Sequence, residues 1–410
     1  MRSLRPVTRL LPLVVLPLVV LGAVGYVLVS TGGSGGTLPL ARGASGGTFH
    51  PVAGGFEPDG TQLEGCGERY SCLERAFGNI AYRRGPRRAL ALFEERMAVD
   101  PHVERDCHRI AHVIGSAVFA RNEGDVARTF ATGSSVCASG YYHGILERAF
   151  AGVRSEAGLG RIARSLCVGL GIRRRGFLDY QCRHGLGHGL MIQTGYDLPL
   201  ALATCGRLGT GWDEVTCASG AFMENVSTRF GFRSAWLSED DPLHPCGTVP
   251  TRLRRPCYGR ATTWALQLNR NDFEATAETC AAVGDPWARF CFRGFGRDAV
   301  VEAKYADVSR VLELCELAAG YRPDCLYGAA RTFSDGAALQ GARRAAAFCR
   351  KAPAADRDAC VAGFGLVVGL LRSSEPARRE TCAELAPRSV EACAEAAAGE
   401  VHPSGRRAWG

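Results

Sequence analysis

Cysteine recurs in this chain with a nearly fixed step. From Cys257 the next copies are Cys291, Cys325, Cys360 and Cys393, at intervals of 34, 34, 35 and 33 residues. A step of that length is one two-helix unit of a solenoid, in which each unit buries its apolar face only against its neighbours. The first helix of a unit is expected around the marker cysteine, as in Arg289-Phe290-Cys291-Phe292-Arg293-Gly294-Phe295. A turn and a second helix follow. In the stretch from Asp307 to Cys315 the apolar residues Val308, Val311, Leu312 and Cys315 fall three and four apart, the spacing of one helix face.

Each second helix carries a cysteine at its end, about ten residues before the next marker. This pairs Cys205 with Cys217, Cys246 with Cys257, Cys280 with Cys291, Cys315 with Cys325, Cys349 with Cys360, and Cys382 with Cys393, with Cys167 and Cys182 as a looser copy. A helix end and the next helix start, joined by a short turn, are antiparallel neighbours at disulfide distance. Closing a loop of that size stabilises by roughly 3 kcal/mol in the chain-entropy model. Zinc clusters are a poor fit, because their cysteines usually stand two to four residues apart. The first four cysteines, Cys66, Cys72, Cys107 and Cys137, allow three pairings, of which Cys66 with Cys72 and Cys107 with Cys137 is preferred.

A glycine three residues after the marker recurs as Gly140, Gly185, Gly220, Gly294, Gly328 and Gly363. Inside a helix each costs about 1 kcal/mol relative to alanine, so the repetition calls for close crossing of adjacent helices. From about Cys167 to Gly399, period, helix pattern and cysteine placement resemble the cysteine-rich Sel1-like and tetratricopeptide-like repeats. The resemblance implies an all-α, right-handed solenoid with a disulfide from each unit's second helix to the next unit's first. It does not extend to the histidine-bearing units.

Ahead of the repeats, residues 1–9 carry Arg2, Arg5 and Arg9 with no acid, and residues 10–30 are an apolar run of bilayer length. No small-residue cleavage pattern follows, so the expectation is an uncleaved transmembrane signal anchor rather than a cleaved signal peptide. Its arginines would stay cytoplasmic and the rest of the chain would form an ectodomain outside the cytoplasm, anchored in the cell membrane. Disulfides suit that oxidising compartment. Residues 31–65, rich in glycine, read as a flexible linker; 66–245 as histidine-bearing repeats; 246–410 as C-terminal repeats without evident chemistry. The net charge of +8 comes from spread arginines and points to no nucleic-acid partner.

Five of the nine histidines lie just after marker cysteines. They are His108 and His112 after Cys107, His143 after Cys137, and His184 and His188 in Cys182-Arg183-His184-Gly185-Leu186-Gly187-His188. With the cysteines in register, His143 and His188 share a position, His112 is one residue short of it, and Met223 occupies it in the next unit. Histidines four apart on a helix lie one above the other and can share an ion. Later units put Thr263, Arg297, Arg331 and Leu366 there, so the scaffold does not demand histidine.

Three readings stay open: a metal site, a buried polar or catalytic histidine network, and an accident of composition. The first is the expectation, with copper or zinc as the ion, Met223 tilting the choice toward copper. Glu147 and Glu224 are the candidates for a further ligand or a catalytic base. The H-E-x-x-H and C-x-x-C-H patterns are absent from the sequence. The alternative function is an extracytoplasmic scaffold that binds a protein partner on the solenoid surface without metal or catalysis.

Overall fold

A computed structural model describes residues 55–399 apart from 154, 228–233 and 336–337. The segments expected as cytoplasmic N-terminus (1–9) and transmembrane anchor (10–30) lie outside the described residues, as do residues 400–410. No described helix is long and apolar enough to cross a membrane.

All regular secondary structure among the described residues is helical. The first half holds α1 (Tyr70–Arg84), α2 (Pro86–Met97), α3 (Pro101–Arg105), α4 (Cys107–Arg121), α5 (Val126–Phe130), α6 (Val136–Ala149), α7 (Glu156–Gly169), α8 (Phe177–Gln193), α9 (Leu198–Cys205) and α10 (Gly211–Asn225). The second holds α11 (Thr251–Leu268), α12 (Phe273–Ala282), α13 (Trp287–Glu302), α14 (Val308–Glu316), α15 (Arg322–Ser334), α16 (Ala338–Lys351), α17 (Arg357–Leu371), α18 (Glu375–Leu385) and α19 (Val390–Gly399).

The marker helices α4, α6, α8, α10, α11, α13, α15, α17 and α19, preceded by α1, each pack on the next and form one continuous layer. The shorter second helices start on a repeated local signal. Asp125, Asp197, Asp272 and Asp307 cap α5, α9, α12 and α14, each carboxylate accepting the backbone N–H three residues on. Such a cap stabilises by about 1 kcal/mol. The layer is strongly curled, so that α8 also packs against α17. There the Arg173 guanidinium donates to the Leu370 carbonyl, and the Arg331 guanidinium lies 5.2 Å from the ring centroid of Tyr180.

All eighteen cysteines are paired as expected from the sequence, with Cα–Cα separations from 5.2 to 5.8 Å. Two local expectations need correction. Cys246 does not end a helix, because Pro242, Pro245 and Pro250 interrupt the segment and leave it in turns. That segment is held by Trp264, whose indole N–H donates to the Ser238 carbonyl at 2.8 Å. The linker expected over 31–65 is ordered at its end: Phe56 packs on the core, and the Asp59 N–H donates to Asn79 Oδ1 at 3.0 Å.

The recurrent glycines mark where backbones touch. A Cβ on Gly220 of α10 would run into the carbonyl of His184 on α8; one on Gly144 of α6 would run into the carbonyl of His112 on α4. Substituting either therefore forces two helices apart. Gly220→Ala is expected to cost about 3 kcal/mol of stability, whereas Gly211→Ala, with no atom near its added methyl group, is expected to be neutral or to stabilise by up to about 1 kcal/mol. Chemical unfolding of the two variants checks this; equal effects would show that the crossings are not glycine-limited.

Candidate metal centre

The close crossings fall beside the histidines, and they bring five imidazoles from three helices together. Ring centroids of His108 and His112 on α4 lie 4.5 Å apart, and each is 5.4 Å from His143 on α6. The His143 ring stacks on that of His188 at 4.8 Å and lies 5.1 Å from His184, both on α8. His112 and His188, two helices apart, are 5.8 Å from one another. This is the shared rung read from the cysteine register, made possible by the curl of the layer. His112, His143, His184 and His188 are at most 3 % exposed, while His108 is part-buried. His102 meets the Glu68 carboxylate at 3.3 Å and belongs to no ring set.

Two triads place one ligand atom from each residue within 4.8 Å of the others: His108, His112 and His143, and His143, His184 and His188. The hydrogen bonds explain which atoms are available. His108 Nδ1 lies 2.8 Å from the Cys137 carbonyl oxygen, which can only accept, so Nδ1 carries the hydrogen and Nε2 keeps its lone pair. His112 Nδ1 donates to Glu147, leaving Nε2 bare as well. The two Nε2 atoms face each other at 3.0 Å. At that distance either a proton on one ring or a shared cation must lie between them.

The second pair follows the same pattern. His188 Nδ1 donates to Glu224 Oε2 at 2.8 Å, and its bare Nε2 stands 3.3 Å from His184 Nε2. Whichever nitrogen of His184 holds the hydrogen, one buried nitrogen is left over; its Nδ1 meets no partner. His143 donates from Nε2 to Gln181 Oε1 at 3.3 Å, and its buried Nδ1 is likewise without a partner. Burial, and then the charges of neighbouring rings, hold His112, His143 and His184 well below the usual imidazole range, so these rings are neutral and can act as ligands.

Glu147 and Glu224 are thus occupied in orienting His112 and His188. Burial would raise the Glu224 carboxyl, but the hydrogen bond and charge of His188, with the charge of Arg109, carry it below the usual carboxylate value. Its second oxygen accepts from the Tyr196 hydroxyl at 2.8 Å. Tyr141 and Tyr142 are core residues, the former hydrogen-bonded to Thr129 and Thr132. Met223 is part-buried and adjacent to Glu224, about 100° round the helix from it. The residue that α10 turns to the rings is Glu224.

Arg183, inside the histidine motif, had no role on sequence grounds. It is 2 % exposed and its Nε meets Asp179 at 3.0 Å and Asp213 at 2.9 Å, while Arg174 reaches both carboxylates from the surface. This buried network ties α8 to the start of α10. The signal for it, an Asp–Arg pair four apart in α8, was present in the sequence.

No family model matches the chain, and no curated protein or solved structure matches it either. The likeness to Sel1-like repeats therefore stands at the level of a disulfide-stapled helical array. In metal-free protein, the hydrogen bonds require His108, His112 and His188 each to carry a hydrogen on Nδ1. Nitrogen-15 NMR of the imidazoles is expected to show this; Nε2–H without Nδ1–H on any of the three would contradict the assignment.

Proposed function

We propose that this is an exported protein, anchored in the membrane by its N-terminal apolar segment, whose histidine-bearing repeats bind one transition-metal ion. The observation that carries the reading is the pair of triads, His108, His112 and His143, and His143, His184 and His188, each with its ligand atoms within 4.8 Å of one another. The orphaned Nδ1 atoms of His143 and His184 support it. Export is supported by the arginines and apolar run at residues 1–30 and by nine disulfides with no free cysteine among the described residues.

Neutral imidazole with every cysteine oxidised suits zinc or copper. Zinc is the better match. Ligand nitrogens about 2.0–2.1 Å from a tetrahedral zinc stand about 3.3 Å apart, which is the His184–His188 separation of 3.3 Å. A carboxylate on the far nitrogen of a ligating histidine, as Glu147 and Glu224 supply, is the usual support of such a site.

A neutral His143 has one lone pair and can complete only one triad at a time, so one fully coordinated ion per chain is expected. Three protein ligands would leave a fourth position for an exchangeable ligand. The full chain, purified in detergent and dialysed against zinc and then metal-free buffer, is expected to retain about one zinc per molecule. The His143→Ala/His188→Ala variant should retain less than about a tenth of that, with its helical circular dichroism intact. Equal zinc and copper content in wild type and variant would rule out the reading.

A further inference from the structure

The register position that holds His143 and His188 holds Arg297 and Arg331 in later units, and the position of His184, two residues after the marker, holds Arg293. The curl of the layer turns these arginines toward a common cavity of about 160 Å³, lined by residues of α8, α10, α11, α13 and α15. Four guanidiniums line it, Arg260, Arg293, Arg297 and Arg331, against the single carboxylate of Asp335. The remaining walls include Tyr180, Tyr327, Ser219 and Thr332.

Three of the four arginines are held in place from behind. Arg293 donates to Asp324 at 2.9 Å and lies over the Tyr327 ring at 4.2 Å. Arg297 donates to Asp298 and, at 2.7 Å, to Thr263 Oγ1. Arg331 is 3.9 Å from Asp335 and covers Tyr180. Arg260 differs. It stands three residues after Cys257, where the neighbouring units carry Gly220 and Gly294. Its guanidinium reaches only Ser219 Oγ, at 3.4 Å from Nε and from Nη2. Among the described residues no carboxylate lies within salt-bridge distance of it.

We propose that this cavity binds a small, multiply charged oxyanion, with a phosphate group as the best match. Arg260, part-buried and without a carboxylate at salt-bridge distance among the described residues, shares one open space with three carboxylate-backed arginines, an arrangement that an anion filling the space explains. Guanidinium forks match the oxygens of phosphate and carboxylate, and a tetrahedral phosphate presents oxygens to guanidiniums arriving from several helices at once. Burial, and then the charge of Arg297, push the Arg260 guanidinium down to about 10.

The cavity adjoins the histidine cluster: Tyr180, with Arg331 on its ring, stacks on His184 at 5.8 Å with the rings 10° from parallel. The anion site nevertheless stands on its own residues and is testable without metal. Isothermal titration of the full chain in detergent, stripped of metal, with inorganic phosphate is expected to show saturable binding. Acetate and chloride at equal ionic strength should bind at least about ten-fold more weakly. Arg260→Gln and Arg331→Gln should each weaken phosphate about ten-fold or more.

Without phosphate, Arg260→Gln should unfold at the same or a higher temperature than wild type, because it removes a charge with no partner. A purely structural arginine would give the reverse. Absence of saturable phosphate binding, equal binding of phosphate and chloride, or a loss of stability in Arg260→Gln without phosphate would each overturn the proposal.

Discussion

Backbone-to-backbone contact at glycine sets the spacing of the marker helices, and the rest of the structure depends on that spacing. Helices bearing ordinary side chains pack with axes about 8–10 Å apart. Glycine removes the side chain at the crossing, so that Gly144 lies on the His112 carbonyl and Gly220 on the His184 carbonyl. Each crossing thus sits beside a histidine. The gap that remains is short enough for an imidazole from one helix to meet one from the next, and the curl lets a third helix join. Disulfides at the unit junctions hold the same geometry from the other end, by limiting how far a second helix can swing from the following marker helix.

The inner lane created in this way is polar although it is buried, and the two halves of the array resolve that conflict differently. In the first half the groups are imidazoles, oriented by Glu147, Glu224 and the Cys137 carbonyl, with the Nδ1 atoms of His143 and His184 left without partners. In the second half they are part-buried guanidiniums, three of them backed by carboxylates and one, Arg260, without such a partner among the described residues. Uncompensated polar groups are expensive inside a fold and collect where something else is bound. One half leaves acceptors open and the other leaves donors open, which is the pattern of a cation beside an anion.

Much of this was legible in the sequence because it is periodic. The step of the cysteines from Cys257 to Cys393 gave the unit, the paired cysteines gave the disulfides, and the glycine after the marker announced the crossings. Aligning cysteines also placed His143 and His188 on one rung with His112 beside them. What periodicity could not show is the partner of each nitrogen. Glu147 and Glu224 were visible as carboxylates near histidines, but their role as orienting groups depends on contacts 35 and 36 residues away in the chain. Met223 was favoured because it holds the register position, yet the adjacent Glu224 faces the rings.

The arginines of the second half could not be placed from the sequence for a related reason. Their convergence depends on the curl that brings α8 against α15 and α17. One anomaly was on the page from the start: Arg260 stands where its neighbours have glycine, so a bulky cation occupies a position otherwise kept for close crossing. The helix expected to end at Cys246 failed for a simpler reason, three prolines in nine residues.

The central claim is that a histidine triad from two adjacent marker helices, completed by His143, holds one cation, and its most direct test is X-ray absorption at the metal edge of the zinc-loaded full chain. The account requires a first shell of nitrogen at about 2.0–2.1 Å, with the outer scattering of about three imidazoles and no sulfur. A sulfur shell at about 2.3 Å, or a spectrum of hydrated zinc with no imidazole scattering, would contradict it.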